Sequence, residues 1–363
     1  MYLNIKAKIQ KNHIVFLNKK IFSAYFAFRI KKLILQKKAI SMVSFLTEKN
    51  KLNIGILTIS TSAYIFSYLF VLFIYQLTTS FMAAQYHVRT ILYLDKITFI
   101  TQDNSPFWYS DSVLSVFFAS PIVSIFFLFT FIWLYHKLID DESIIKHFFL
   151  WGAIHFINRL LGTFIIGTIF FLYESNLIAD WLYMGMEMKI LIVSLAFILM
   201  IVIGRFTAFP LLASADSPTL LKENYRKNFI IHQVYLPWVI GSIFLFLFQL
   251  PKIPINNNLL HISILCLIAP LIFRYNKFLL PSFDGPEVQY RIPWRFLSFL
   301  MVLIIIMKFF LNKGIQFGSE SESSDGLLEI SILIAIIIIS LVIQMIFSYK
   351  RKKKSTRKLL EGF

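Results

Sequence analysis

The sequence predicts an all-α polytopic membrane protein of about eight transmembrane helices, with an N-terminal basic amphipathic segment and a small outer hairpin or loop. Three observations predict it. Of 363 residues 58% are hydrophobic and only 15% charged, at a mean hydropathy of +0.71, whereas a soluble chain is about 45–50% apolar and about 25% charged. Eight separate apolar stretches each approach the roughly 20 residues that a helix needs to cross a hydrocarbon core about 30 Å thick. Lys and Arg, finally, are divided very unequally between the two sides that those stretches define. The composition excludes a water-soluble domain, and the lone Cys266 excludes a disulfide framework and a multi-cysteine zinc site.

Residues 1–53 come first. Lys pairs alternate there with apolar patches (Ile14, Leu17, Ile21, Phe22, Phe26, Phe28, Leu33 to Leu35), a pattern suited to an amphipathic helix lying in the membrane surface or docking a protein partner. No small-residue cleavage site follows the short apolar run before Arg29, so this is not read as a signal peptide. The expected spans are 54–78, 113–135, 148–172, 190–213, 229–250, 259–280, 293–311 and 327–348, and residues 349–363 form a basic tail. Counted by alternate sides, 28 Lys and Arg fall on the side of both termini and 6 on the other, with Arg159 and Arg205 inside spans. Basic residues resist translocation, so both termini are expected in the cytoplasm, consistent with the inner (cell) membrane of a bacterium. The same distribution accounts for the +17 net charge. No nucleic-acid motif accompanies it, and the basic termini are expected to rest on anionic lipid headgroups.

Between the first two spans, the run from Thr90 to Thr101 holds two β-rich pieces about the polar pair Asp95-Lys96, which predicts the hairpin. Ser105-Pro106 then reads as N-cap and first residue of the second helix, which would put Asp111 a turn or more inside it. Between the second and third spans, His136/Asp140, Lys137/Asp141 and Glu142/Lys146 are spaced by four. That spacing predicts ion pairs on a solvated helix hairpin, and without a zinc-type pattern no metal site. The stretch from Gly318 to Gly326 is acidic and of low complexity, hence a solvated link.

One intramembrane feature escapes hydropathy. In the third span Gly152, His155, Arg159 and Gly162 recur at intervals of three and four, with Asn158 beside them, so a regular helix presents them on one face. Arg159 lies 11 residues from Phe148 and 13 from Leu172, some 16 Å or more from either end at about 1.5 Å per residue, too deep for its stem to snorkel out. A charge there costs about 2.5–3.5 kcal/mol on insertion scales and faces a bundle interior or watery cavity. Its partner is expected among loop-end carboxylates such as Asp111 or Glu174, backbone carbonyls and hydroxyls, or an anionic ligand, which a guanidinium grips with two parallel bonds. Arg205 in the fourth span raises the same question, and a polar cavity shared by spans three and four is expected. His155, Asn158, Arg159 and Arg205 are therefore the candidate substrate-binding residues, with no cofactor.

No nucleophile turn, Walker loop, H-E-x-x-H or intramembrane carboxylate pair is present. The leading expectation is a transporter or translocation component for an anionic or amphiphilic solute, with Pro121, Pro237 and Pro270 interrupting helices as broken transporter helices require. The alternatives are a membrane enzyme acting on a lipid-linked phosphate, with His155 as acid or base, and a non-catalytic assembly protein. A cavity reaching both faces would favour transport, one opening to lipid with acids near His155 the enzyme, and a packed interior the assembly protein.

Overall fold

The computed structural model describes residues 48–102, 104–138, 144–171, 173–215, 218–221, 223–250, 255–274 and 294–318. The expectations for residues 1–47, for Asp140 to Glu142, for the acidic link, for the eighth span and for the basic tail fall outside them. The chain divides into two compact units, Met1–Leu52 and Asn53–Phe363. The second is an all-α assembly carrying a three-stranded sheet. In chain order the elements are α1 (Glu48–Gln85), β1 (Thr90–Leu92), β2 (Ile97–Phe99), α2 (Ser110–Leu138), α3 (Ile144–Ile157), a π-helical turn (Asn158–Gly162), α4 (Thr163–Phe170), α5 (Tyr173–Trp181) and α6 (Met186–Ala213). A short 3₁₀ turn (Pro218–Leu221), α7 (Glu223–Ile230), a second π turn (Ile231–Tyr235), α8 (Leu236–Phe248), α9 (Ile255–Ile268), α10 (Pro270–Arg274), α11 (Trp294–Lys313) and β3 (Ile315–Phe317) complete the series.

Among the described residues five helical stretches are long and apolar enough to cross a membrane: Asn53–Gln85, Ser110–Leu138, Ile145–Phe170, Met186–Ala213 and Tyr225–Phe248. They contain or overlap the first five expected spans. The sixth expected span meets the shorter α9 and then α10, and the seventh meets α11. Burial ranks the five. In the apolar window of α1 78% of residues are buried, against 17% for α6, so α1 sits at the centre of the bundle and α6 at its edge.

The hairpin expected at 90–101 is present: Thr90 pairs with Phe99 and Leu92 with Ile97. Its turn is centred on Leu94-Asp95 rather than Asp95-Lys96, because the Tyr93 N–H donates to the Lys96 carbonyl at 2.9 Å. β3 adds to the free side of β1, antiparallel, with Thr90 opposite Phe317. Gly314 makes that return possible: it bends α11 into β3 at φ +81°, a left-handed conformation with the Ile91 side chain packed where a Cβ would stand. Phe99 meets both Trp108 and Phe117 edge to face, and those two rings stack on each other, which seats the hairpin on the start of α2.

Two local expectations are corrected. Ser105-Pro106 forms a turn, with Trp108 N–H donating to the Ser105 carbonyl at 3.0 Å, and α2 begins only at Ser110. Ser112 rather than Ser105 ties the chain there, since its hydroxyl accepts from Tyr109 N–H at 2.9 Å and contacts the Phe107 carbonyl at 2.7 Å. Asp111 thus lies in the first helical turn. The 136–147 connection is also not a solvated hairpin at its far end. His136 and Lys137 are exposed, but Lys146 and His147 are 1% and 2% exposed, because α3 turns them into the bundle as it packs along α2.

Candidate functional site

Three sequence features place the buried polar groups. The first is Pro237, which lacks an N–H and so leaves the Gln233 carbonyl without its α-helical partner. The chain relaxes into the π turn at Ile231–Tyr235, and the Ser60 hydroxyl of α1 donates to that carbonyl at 2.6 Å. Trp151 Nε1–H in turn donates to Ser60 Oγ at 2.8 Å. The Gln233 amide completes the knot, donating to His147 Nδ1 at 2.8 Å and Ser214 Oγ at 3.3 Å. One residue thus ties α1, α3 and the end of α6 together.

The second feature is Tyr64, one turn along α1 from Ser60. Its hydroxyl bonds His261 Nδ1 of α9 at 2.8 Å and Ser242 Oγ of α8 at 3.0 Å. Its carbonyl lies 3.2 Å from His155 Nε2. A carbonyl only accepts, so Nε2 of His155 carries the proton and Nδ1 of the neutral ring is a bare acceptor. That Nδ1 is buried and makes no hydrogen bond. The Tyr68 ring, a further turn along α1, lies 5.5 Å from the His155 ring and 4.5 Å from the His261 ring.

The third feature is the π turn Asn158–Gly162, which falls on the polar residues of the third span. A π turn holds one extra residue, so the regular face expected for Gly152, His155, Arg159 and Gly162 is broken in its middle. The two glycines meet different neighbours: Gly152 abuts the Phe131 ring of α2, and Gly162 abuts Leu260 and Ser263 of α9. Asn158 turns to α9 as well, donating to the Leu260 carbonyl at 2.8 Å while accepting from Ser263 Oγ at 2.8 Å. Thr163 Oγ1 returns to the Arg159 carbonyl at 2.8 Å and holds the widened turn. The Arg159 guanidinium lies over the Tyr75 ring at 4.2 Å, a cation–π contact strengthened by desolvation.

Between α1, α3, the π turn and α9 is a cavity of about 10 Å³ lined by Tyr68, Val71, Leu72, His155, Asn158, Arg159 and Leu260. The structure therefore brings together three of the four residues singled out from the sequence. Arg205 is not among them. It is exposed on α6, next to Gly204, whose own face is pressed against the α9 backbone; the cavity expected between spans three and four instead lies between spans one, three and six. Sequence reasoning missed the contribution of α1. Its signal was there in Ser60, Tyr64, Tyr68 and Tyr75, spaced by four, four and seven, but Tyr scores as apolar in a span and so left no gap in the hydropathy.

His155 and His261 are not joined by a third His, Cys or carboxylate among the described residues. Comparison with protein-family models, with curated proteins and with solved structures finds no match to this chain.

Proposed function

We propose that this chain is an integral membrane protein of eight spans with both termini in the cytoplasm, placed in a bacterial cell membrane, and that it moves an anionic or amphiphilic solute through the bundle interior. The observation that carries the reading is the Arg159 guanidinium at the wall of a cavity in the middle of the bundle, with His155 and Tyr68 on the same wall. Arg159 lies 14 residues from the start of the Ile145–Phe170 span and 11 from its end, at a depth where a charge is retained for function. The π turn Asn158–Gly162 lines the cavity, and such a turn provides slack for helices to part. The basic termini hold anionic headgroups, and residues 1–53 offer a surface for a protein partner. The enzyme reading is less well supported, because among the described residues no carboxylate lines the cavity beside His155.

The cavity's size favours a second reading. A volume of about 10 Å³ takes a single water-sized group, so the cluster in this closed arrangement also suits a non-catalytic assembly protein whose polar residues fasten helices. Two substitutions of Arg159 separate the readings. An anion site requires the planar fork, so Arg159→Lys is expected to insert normally and lose in-cell complementation of a deletion strain, with Arg159→Leu equally inactive. A fastening role predicts that Lys retains part of the function and that loss of function follows loss of thermal stability in detergent. Full function in a stable Arg159→Leu protein refutes the anion site.

A further inference from the structure

We infer that the solute recognised at Arg159 carries a hydroxyl beside its anionic group, and that His155 Nδ1 is the acceptor which reads it. This rests on the anion site proposed above and adds the class of solute. Three of the four polar side chains at the cavity have a determinable direction; the fourth, Tyr68, has a buried hydroxyl that makes no hydrogen bond and can either donate or accept. Asn158 has one amide N–H committed to the Leu260 carbonyl and its oxygen accepting from Ser263, so it positions the π turn against α9. Arg159 has only donors to give. His155 has its proton on Nε2, facing the Tyr64 carbonyl, which leaves Nδ1 as an acceptor, buried and without a hydrogen bond, on a ring 2% exposed. A simple anion has nothing to donate to it. An anion with a neighbouring O–H meets the guanidinium with its charge and the imidazole with its hydroxyl.

Volume supports the same reading. The cavity of about 10 Å³ is the size of one water-scale group rather than of a whole organic anion. It therefore receives the hydroxyl, and the remainder of the solute enters as the helices part. Leaving a buried acceptor unmatched is costly, so a site built for a hydroxyl discriminates strongly against the analogue that lacks it.

The experiment is binding to the purified full chain in detergent micelles, using two matched pairs of probes: lactate against propionate, and glycerol 1-phosphate against propyl phosphate. The expected result is that the hydroxylated member of at least one pair binds tenfold or more tightly than its partner. Which pair it is identifies the anion as carboxylate or phosphate. His155→Gln keeps a donor for the Tyr64 carbonyl while removing Nδ1; it is expected to unfold at the wild-type temperature, to bind both members, and to bring their ratio to about one. Equal binding of both members by the wild type, abolished in Arg159→Leu, overturns the hydroxyl inference and leaves the anion site standing. A preference that survives in His155→Gln also overturns it. No binding of any of the four probes overturns the anion site and the inference with it.

Discussion

Gln233 shows how one residue can be decided by another four positions away. Pro237 removes the N–H that its carbonyl would have met, Ser60 supplies a hydroxyl instead, and the amide is left to join His147 to Ser214. Replacing it with leucine keeps the volume and strands His147 Nδ1 in the bundle. Gln233→Leu is expected to cost about 1–3 kcal/mol, the penalty for one buried acceptor without a donor, read as a lowered unfolding temperature in detergent. Trp151→Phe removes the bond to Ser60 and part of a fully buried indole, and is expected to cost more than the about 0.5–1.5 kcal/mol of the hydrogen bond alone. Legibility follows chemistry at this scale. His155, Asn158 and Arg159 stand out against apolar neighbours and are found from the sequence. Tyr64 and Tyr68 are hidden by their rings, and His261 is a lone His in an apolar run. Arg205 could not be placed from its neighbours because α6 is apolar on every side, leaving no periodicity to say which face meets the bundle.

The elements themselves were legible where a pattern is local. The hairpin follows from two β-rich runs and their turn, whereas β3 joins β1 from more than two hundred residues away, a pairing no local pattern announces. Regular periodicity also presumes a regular helix, and the π turn at Asn158–Gly162 violates that presumption where the polar residues lie. Pro270 likewise deprives the Cys266 carbonyl of α9 of its N–H partner, and the two carbonyls that follow at the end of α9 take side-chain donors. Thr207 Oγ1 donates to the Leu267 carbonyl at 3.3 Å and the Tyr235 hydroxyl to that of Ile268 at 2.9 Å. Gly204 lets the α6 backbone come close enough for this, since a Cβ there would stand 2.6 Å from the Leu267 oxygen. Backbone cannot step aside as a side chain can. Gly204→Ala is therefore expected to lower stability by about 1–3 kcal/mol although alanine is the better helix former, and Gly185→Ala, with open space around it, to leave the unfolding temperature unchanged.

At the scale of the whole molecule the small sheet constrains the topology. β1 and β3 are hydrogen-bonded neighbours, so residues 90–92 and 315–317 must lie on the same side of any membrane the chain crosses, and the number of crossings between them is even. Four of the five long apolar stretches fall in that interval, and four is already even. The segment containing α9 and α10 and the segment containing α11 must then both cross or both stay. α11 is 20 residues long, about 30 Å at 1.5 Å per residue, enough for the hydrocarbon core. If α11 crosses, the sixth expected span must cross as well, which would give seven crossings before residue 318. On the proposed topology the apolar sequence 327–348 would supply an eighth and bring the basic tail to the side of the basic N-terminal segment, as the 28-to-6 division of Lys and Arg predicts. The prediction is read by single-cysteine labelling in a Cys266→Ser background with a membrane-impermeant maleimide. Lys96→Cys and Glu320→Cys are expected to label in intact cells, and Ser355→Cys only after permeabilisation. Labelling of positions 320 and 355 from one side would remove the eighth span, and labelling of 96 and 320 from opposite sides would contradict the paired strands themselves.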